Sequence, residues 1–552
     1  VSAPDVEKPQ SRIRDNSVLA PFRHETYRIL WIATLASNLG GLVQSVGAGW
    51  LMTELTESHD MVALVQASVT LPVMLFSLVA GALADNFDRR IIMIVAQIGM
   101  AVVSLALAVL AFMGLLNPWL LLTFTFLIGT GTALFNPSWQ ASVGDIVPRK
   151  DLPGAVTLNS LGFNMMRSVG PAVGGLIVAV AGAAAAFAVN AISYLPLIWA
   201  LFRWQRPALA NSLPRERLGS AVWAGLRYVW LSPNLTVVLL RGALFGFAAV
   251  AILALLPSLA ATYVDGGPLI YGTLLGSFGL GAIGGAFVNA RIRARFSNEI
   301  IVRAACSGFA ISCVTLGLSS NVLLSHLALL PAGACWVLTL SLFNVSIQLS
   351  TPRWVVGRAL ALYQTATFGG MAAGSWCWGK IADASDLSWA LVMAGGVLAA
   401  CALIGLRLPL PKFESRDLSP LNSFNEPLLK LHLQPRSGPI MVMIDYEIDE
   451  ADIGQFLSLM ADRRRIRIRD GARQWGLLRD LERPEIWVES YHVPTWIDYV
   501  RHQQRRTKAD AENAVLLRAL HRGSEPPYVH RMIERQIVPL KENLILRDPN
   551  ES

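Results

Sequence analysis

An octapeptide is written twice in this chain. Phe135-Asn136-Pro137-Ser138-Trp139-Gln140-Ala141-Ser142 returns as Phe343-Asn344-Val345-Ser346-Ile347-Gln348-Leu349-Ser350, a shift of 208 residues, each time at the end of a long apolar stretch. Two further anchors keep the same order. Gly81-Ala82-Leu83-Ala84-Asp85 aligns with Gly285-Ala286-Phe287-Val288-Asn289, and Gly170-Pro171-Ala172-Val173-Gly174-Gly175 with Gly374-Ser375-Trp376-Cys377-Trp378-Gly379, both at a shift of 204. Matched copies inside hydrophobic sequence mark two membrane-embedded halves of common design, with the functional site between them.

With 53% hydrophobic residues, 15% charged residues and a mean hydropathy of +0.47 over 552 residues, the chain is no ordinary soluble enzyme. Stretches long enough to cross about 30 Å of hydrocarbon run at 28–52, 61–84, 91–113, 119–141, 154–180, 184–202, 235–261, 270–290, 300–318, 322–349, 359–382 and 387–408. The expectation is an all-α membrane protein of twelve transmembrane helices in two six-helix halves, 1–202 and 234–408, joined by a loop at 203–233.

Basic residues fall in alternate loops: Arg89 and Arg90, Arg149 and Lys150, the stretch 203–227, Arg291, Arg293 and Arg295, and Arg353 with Arg358. The loops between them hold Glu54, Glu57, Asp60, Asp265, Asp383 and Asp386 without Lys or Arg. The positive-inside rule then gives a multi-pass protein with both termini cytoplasmic. From Lys412 onward 22 basic residues balance 22 acidic ones, so the whole formal charge of +8 belongs to the membrane portion. That excess is topological and implies no nucleic-acid partner. The five cysteines, Cys306, Cys313, Cys335, Cys377 and Cys401, lie in apolar spans without metal-ligand spacing, so neither metal nor cofactor is expected. Arg12, Arg14 and Arg23 precede the first span with no signal-peptide apolar core among them.

Residues Gly81 to Arg90, Gly-Ala-Leu-Ala-Asp-Asn-Phe-Asp-Arg-Arg, resemble the G-x-L-a-D-r-x-G-r-r loop of the major facilitator superfamily. Gly81 would permit close helix approach, and Asp85, with Arg89 and Arg90 beside it, would latch one access state by pairing across to the other half. Asn86 and Asp88 depart from the pattern, and Asn289 replaces the carboxylate in the second copy, so the latch is one-sided. Gly170, Pro171, Gly174 and Gly175 resemble the G-P-x-x-G-G signature of the superfamily's exporters and antiporters. Gly162, Met166, Gly170 and Gly174 recur every fourth residue, giving a mostly smooth helix face, and Pro171 removes an internal hydrogen bond. A packing role with no part in transport direction is the alternative. Thr125 stands where the superfamily's usual fourth-span arginine would be.

Arg167 is the one charge in the middle of an expected span. Its insertion costs about 2.5–3.5 kcal/mol, so it should face a cavity or a partner, either holding an anionic substrate or bracing the fifth span through carbonyls. Arg241, close to the cytoplasmic start of the seventh span, can snorkel and is read as structural. No Asp or Glu lies mid-span, which leaves Glu54, Asp85, Asp145, Glu299 or Asp383, or a distant water path, to carry a coupling proton. Polar and aromatic groups inside apolar helices suggest a cavity wall for a bulky, partly aromatic small molecule: Asn38, Gln44, Asn136, Trp139, Gln140, Asn159, Asn164, Arg167, Asn344, Gln348, Gln364 and Trp376, with Trp378 beside the last.

Beyond a linker at 409–437 the pattern changes. Ile444, Tyr446 and Ile448 alternate with Asp445 and Glu447 as in a half-exposed strand. Ile453, Phe456, Leu457 and Met460 follow at helical spacing, then strands near 473–480 and 485–493, helices at 495–506 and 509–521, and a strand at 528–534. This predicts a C-terminal α+β ferredoxin-like (βαββαβ) soluble domain at 438–536, followed by a tail at 537–552. Its aromatic strands suggest a homodimer contact. The domain resembles antibiotic-biosynthesis-type monooxygenases, but no catalytic constellation accompanies Trp475, Trp487, His492, Trp496, His502 and His530. Membrane motifs and tail together are similar to the transmembrane secretion effector branch, which includes enterobactin exporters. The segments that carry this resemblance are Asn136 to Ala141, Asn159 to Asn164, and Arg464 to Gly471 with Trp475 to Leu477. The resemblance implies alternating-access, proton-coupled export of a siderophore-like or drug-like molecule. A membrane-anchored sensor acting through its tail, or a transporter fused to a monooxygenase-like enzyme domain, are the alternatives.

Overall fold

In hydrocarbon only elements that satisfy their own backbone survive, so spans built from residues such as these must be helices. The computed structural model describes residues 19–148, 151–205, 218–262, 267–352, 354–410, 421, 427, 429–431 and 433–534. The chain divides into two compact units: Val1–Leu218 with Val237–Val345 and Ala361–Leu410, and Gly219–Thr236 with Ser346–Leu360 and Pro411–Ser552.

The helices of the membrane portion are α1 (Glu25–Leu55), α2 (His59–Asn86), α3 (Arg89–Phe112), α4 (Pro118–Ile146), α5 (Leu152–Arg203), α6 (Leu218–Trp230), α7 (Pro233–Thr262), α8 (Pro268–Arg295), α9 (Asn298–Leu318), α10 (Val322–Leu349), α11 (Val356–Ala384) and α12 (Leu387–Ile404). Ser58, Asp88, Asn117, Ser297 and Asp386 start their helices by accepting a first-turn backbone N–H, each such cap being worth about 1 kcal/mol. Among the described residues ten helices are long and apolar enough to cross a membrane, where twelve spans are expected. Two of the expected spans, 154–180 and 184–202, form the single 52-residue α5, which breaks at Gly182 (φ 78°, ψ 173°). The other shortfall is α11, a helix of 29 residues that carries Arg358, Lys380 and Asp383 and does not count among the ten.

The core of the first unit's N-terminal half runs from Tyr27, Leu30 and Met52 through Met93, Leu107, Phe135 and Trp139 to Phe187, Leu197 and Leu201. A polar knot crosses it. The Asn190 side-chain amide donates to Gln44 Oε1, to Ser104 Oγ at 3.0 Å and to the Tyr194 hydroxyl at 3.1 Å, while Ser104 donates to Gln44 Oε1 at 2.6 Å. Gln44, 3% exposed, is therefore spent in tying α1, α3 and α5 together and is not a cavity residue.

The second unit holds β1 (Ile440–Glu447), α13 (Ile453–Asp470), β2 (Arg473–Arg479), β3 (Ile486–Val493), α14 (Trp496–Gln504), α15 (Lys508–Leu520) and β4 (Val529–Ile533). The sheet order is β2-β3-β1-β4 with every neighbour antiparallel. One sheet face buries Val442, Ile444 and Tyr446 with Trp487 and Tyr491 against Phe456, Met460, Tyr499 and Leu517 of the helices. The strand aromatics thus point into the core. The opposite face carries Met441, Met443, Val488, Leu478 and Met532, matched across the strands by the register.

The same unit includes α6 and the α10–α11 turn. The Arg505 guanidinium lies 4.2 Å from the Trp354 ring centre, Arg469 lies 5.1 Å from that of Tyr228, and Tyr228 meets Trp354 edge to face at 5.5 Å.

At the centre of the domain sits a fully buried Glu489. It accepts from Arg467 Nε at 3.0 Å, Arg463 Nε at 3.4 Å and Trp475 Nε1 at 3.1 Å. Burial works to raise its pKa, but the two guanidiniums outweigh it and hold the carboxyl at about 2. His502, also buried, lies 3.2 Å from Arg467 Nη1. Burial first, and then Arg467, keep its pKa well below the ordinary 6.5.

Gly182 adopts a backbone region that only glycine enters freely, at a cost of about 1–3 kcal/mol for other residues. Gly182→Ala is expected to lower the thermal midpoint of the detergent-solubilised protein. Gly81→Ala, whose added Cβ meets nothing within 4 Å, is expected to leave it unchanged or raise it.

A second expectation concerns acid. The folded pKa of His502 lies below its unfolded value, so the unfolded chain binds the extra proton and stability falls as pH drops through 6.5. Glu489 loses its contribution in a lower window, from the ordinary 4.5 down to about 2. Unfolding followed by the domain's tryptophan fluorescence should show both losses. His502→Phe should remove the first and leave the second.

Candidate substrate cavity and helix closures

Side chains at i, i+3, i+4 and i+7 share one helix face, and three such faces converge on a cavity of about 510 Å3. Trp31, Thr34, Leu35 and Asn38 come from α1, Phe135, Asn136, Trp139, Gln140 and Val143 from α4, and Val156, Asn159 and Phe163 from α5. Five of the expected wall residues meet here: Asn38, Asn136, Trp139, Gln140 and Asn159. Phe135 and Trp139 stack with ring centres 6.4 Å apart, which leaves the amides of Asn136 and Gln140 on the exposed side of α4. Asn159 Oδ1 accepts from the Tyr27 hydroxyl at 3.2 Å. The Trp31 indole N–H is buried without a hydrogen-bond partner among the described residues. Trp31 and Thr34 escaped the sequence reading, yet they lie seven and four residues before Asn38, the spacing that finds them.

The remaining candidates lie elsewhere. Trp376 is 55% exposed and does not line this cavity, whereas its neighbour Trp378 is buried and donates to the Phe247 carbonyl at 2.7 Å. Asn344 and Gln364 are half-buried and Gln348 is exposed, and none of them lines it. The octapeptide copies nonetheless repeat their burial: Phe135 and Phe343, Ser138 and Ser346, and Trp139 and Ile347 are buried, while Gln140 and Gln348 are exposed. The side chains of Asn164 and Asp85 lie outside the described residues.

Arg167 sits with its guanidinium 5.7 Å from the Phe278 ring centre and 5.6 Å from that of Trp336, inside a cluster completed by Phe245 and Phe309. Each cation–π contact is worth about 0.5–2 kcal/mol, which offsets much of the insertion cost. No carboxylate pairs with Arg167 among the described residues. Arg241 does not snorkel. It is 4% exposed and paired with Glu299.

The glycine signature makes two seams. A Cβ on Gly170 would meet Leu42 at 2.8 Å and one on Gly174 would meet the Val43 Cα at 3.0 Å, while Gly162 faces Trp31 and Leu35, so this face packs on α1. Gly175 instead faces α8, where its Cβ would lie 2.8 Å from the Gly272 Cα, and the Pro171 carbonyl lies against the same Gly272. The second copy behaves alike: Gly374 packs on α7 at Phe247 and Gly379 on α2 at Asp60.

The loop motif departs from expectation. Gly81 has open space where close helix approach is expected. Arg89 donates to the Ala141 carbonyl at 2.9 Å and to Asp145 at 3.0 Å, and Arg90 donates to the Leu201 and Phe202 carbonyls, both at 2.8 Å. Both arginines brace helices of their own half. A closing contact between the halves joins α11 to α2. Asp383, near the end of α11, accepts from Ser58 Oγ at 2.7 Å, from the His59 N–H at 2.6 Å and from the Asp60 N–H at 3.3 Å, and Lys380 Nζ pairs with Asp60 at 2.8 Å. A carboxylate thus sits on the N-terminus of α2, where the helix dipole favours it. The sequence held the signal in its acidic loop residues, but not their pairing.

Capping of this kind by an exposed carboxylate is worth about 0.3–1 kcal/mol. In a cysteine-free background, Asp383→Asn is expected to reduce bismaleimide cross-linking of His59→Cys to Ala384→Cys several-fold, and unchanged cross-linking would remove the closure.

The family model described as transmembrane secretion effector matches residues 16–537. The multidrug efflux pump Tap of Mycobacterium tuberculosis is 24% identical over 421 residues, covering 72% of this chain and 97% of that protein. The staphyloferrin A transporter of Staphylococcus aureus is 31% identical over 159 residues, 28% of this chain and 40% of that one. Among solved structures, an inward-facing, unoccupied bacterial homologue of the human lysosomal transporter Spinster superposes with a TM-score of 0.53 at 14% identity, over 70% of this chain and 95% of that one. A POT family transporter in complex with 5-aminolevulinic acid gives 0.57 at 12%, over 69% and 96%. The helical unit therefore has a transporter fold, and the chain belongs to the transmembrane secretion effector family of membrane transporters.

Proposed function

We propose that the protein exports an amphipathic small molecule, siderophore-like or drug-like, by alternating access in antiport with protons. The observation that carries this reading is the cavity among α1, α4 and α5, whose volume suits a small organic ligand and whose wall alternates amides with indoles. Relatives named multidrug efflux pump, macrolide efflux protein and staphyloferrin A transporter support the substrate class. The kink at Gly182 gives α5 two arms of spanning length, and α11 at about 1.5 Å per residue is long enough to cross. We therefore read twelve crossings, with both termini in the cytoplasm of a bacterial inner membrane. The sheet order β2-β3-β1-β4 supports a ferredoxin-like tail domain, and its face of Met441, Met443, Val488 and Met532 is the surface through which two copies would pair. The domains of this reading are 1–202, 203–233, 234–408, 409–437, 438–536 and 537–552.

Everted vesicles energised with a proton gradient test the reading, with ethidium, a macrolide and an apo-siderophore as probes. Accumulation of at least one probe, abolished by an uncoupler and cut about tenfold by the pair Asn136→Ala and Gln140→Ala, is the expected outcome. Accumulation of none by folded protein, or indifference to the cavity pair, would sink it. A second reading, regulation by the tail, is favoured by the Arg505–Trp354 and Arg469–Tyr228 contacts. Removal of 438–552 separates the two, because unchanged efflux makes the tail accessory.

A further inference from the structure

A hollow of about 450 Å3 lies in the C-terminal domain, and of its thirteen lining residues five are arginine and none is acidic. Arg463 and Arg467 come from α13, Arg506 from the α14–α15 connection, Arg518 from α15 and Arg531 from β4. The buried Glu489 compensates Arg463 and Arg467 from behind the wall. Arg531 spends its Nε–H on the neutral Tyr499 hydroxyl at 2.7 Å. Arg506 and Arg518 make no ion pair among the described residues. Burial, and then Arg467 and Arg463, push the Arg506 pKa below its ordinary value, so the wall repels its own charge.

Tyr491 adds an independent observation. It lines the same hollow, is fully buried, and its hydroxyl has no hydrogen-bond partner among the described residues. An unmade buried hydrogen bond costs about 1–3 kcal/mol, and the half-buried Arg506 with the exposed Arg518 and Arg531 leaves a surplus of positive charge along the wall. Both are relieved by one occupant whose oxygens accept from the arginines and from Tyr491. Ile444, Val529 and the Tyr446 ring supply an apolar, flat remainder of the wall. The volume falls in the range of small-molecule sites, about 300–1,000 Å3, more than a bare phosphate uses. A metal cation is excluded by the charge.

We infer that this hollow binds a small organic anion, a carboxylate or phosphate carried on an aromatic or similarly flat apolar body. The site lies wholly within residues 444–531 and shares no residue with the α1, α4 and α5 cavity, so it stands or falls independently of the export reading.

The test is isothermal titration of the full-length protein in nanodiscs of zwitterionic lipid with phenyl phosphate, inorganic phosphate and benzyl alcohol. Phenyl phosphate is expected to bind one per chain, inorganic phosphate about tenfold more weakly, and benzyl alcohol not measurably. The double variant Arg506→Gln with Arg518→Gln, which leaves the Glu489 cluster untouched, is expected to weaken phenyl phosphate about tenfold. Tyr491→Phe is expected to weaken it by a smaller factor. The cavity variant Trp139→Ala should leave it unchanged. Absent binding, or binding indifferent to the arginine pair in protein that retains its circular-dichroism spectrum, would overturn the site. Equal affinity for inorganic phosphate would overturn the organic-anion assignment. Loss of the signal when anionic lipid replaces the zwitterionic lipid would give the hollow to a lipid headgroup and overturn the free-ligand assignment.

Discussion

Helices in hydrocarbon gain nothing from hiding apolar side chains against one another, because lipid tails are equally apolar, so close van der Waals contact has to hold them. The glycine seams supply that contact. Gly170 and Gly174 let α5 approach α1 to backbone distance, and Gly175 with Gly272 does the same between α5 and α8. The cavity depends on these seams, since Asn38 and Asn159 face it from the two helices that Gly162, Gly170 and Gly174 bring together. In the second copy, Gly374 against α7 and Gly379 against α2 show that the repeat read in the sequence is a repeat of packing.

Much of this was legible because the relevant signals are periodic. A four-residue glycine spacing names a helix face, and an amide at Asn136 followed by one at Gln140 names another. Signals that depend on distant partners were not legible. Nothing local distinguishes Gln44, consumed by Ser104 and Asn190, from Asn38, which lines the cavity. Nor could spacing show that Arg89 would turn to Asp145 within its own half, or that Asp383 would find the start of α2. The expected twelve spans and the ten found differ for a physical reason as well. A glycine at positive φ can break a helix without any change in hydropathy, and α11 trades hydropathy for the charges that close it on α2.

The C-terminal domain follows a different economy from the membrane portion. A buried carboxylate among two guanidiniums costs more in desolvation than it returns unless every partner is in place. Glu489 has Arg463, Arg467 and Trp475 around it. The strand pattern predicted the core positions of β1, where Ile444 and Tyr446 are buried. Alternation alone would have left the α13 arginines in solvent, and their burial is a tertiary effect.

The seat of this domain is assembled from parts far apart in the chain. Arg469 rests on Tyr228 and Arg505 on Trp354, so docking requires that the segment before α7 and the turn between α10 and α11 have reached the same side of the bilayer. Chain synthesis delivers residues 440 to 534 only after both. Docking is therefore a late event in biogenesis, available only to a chain whose second half has inserted with correct topology.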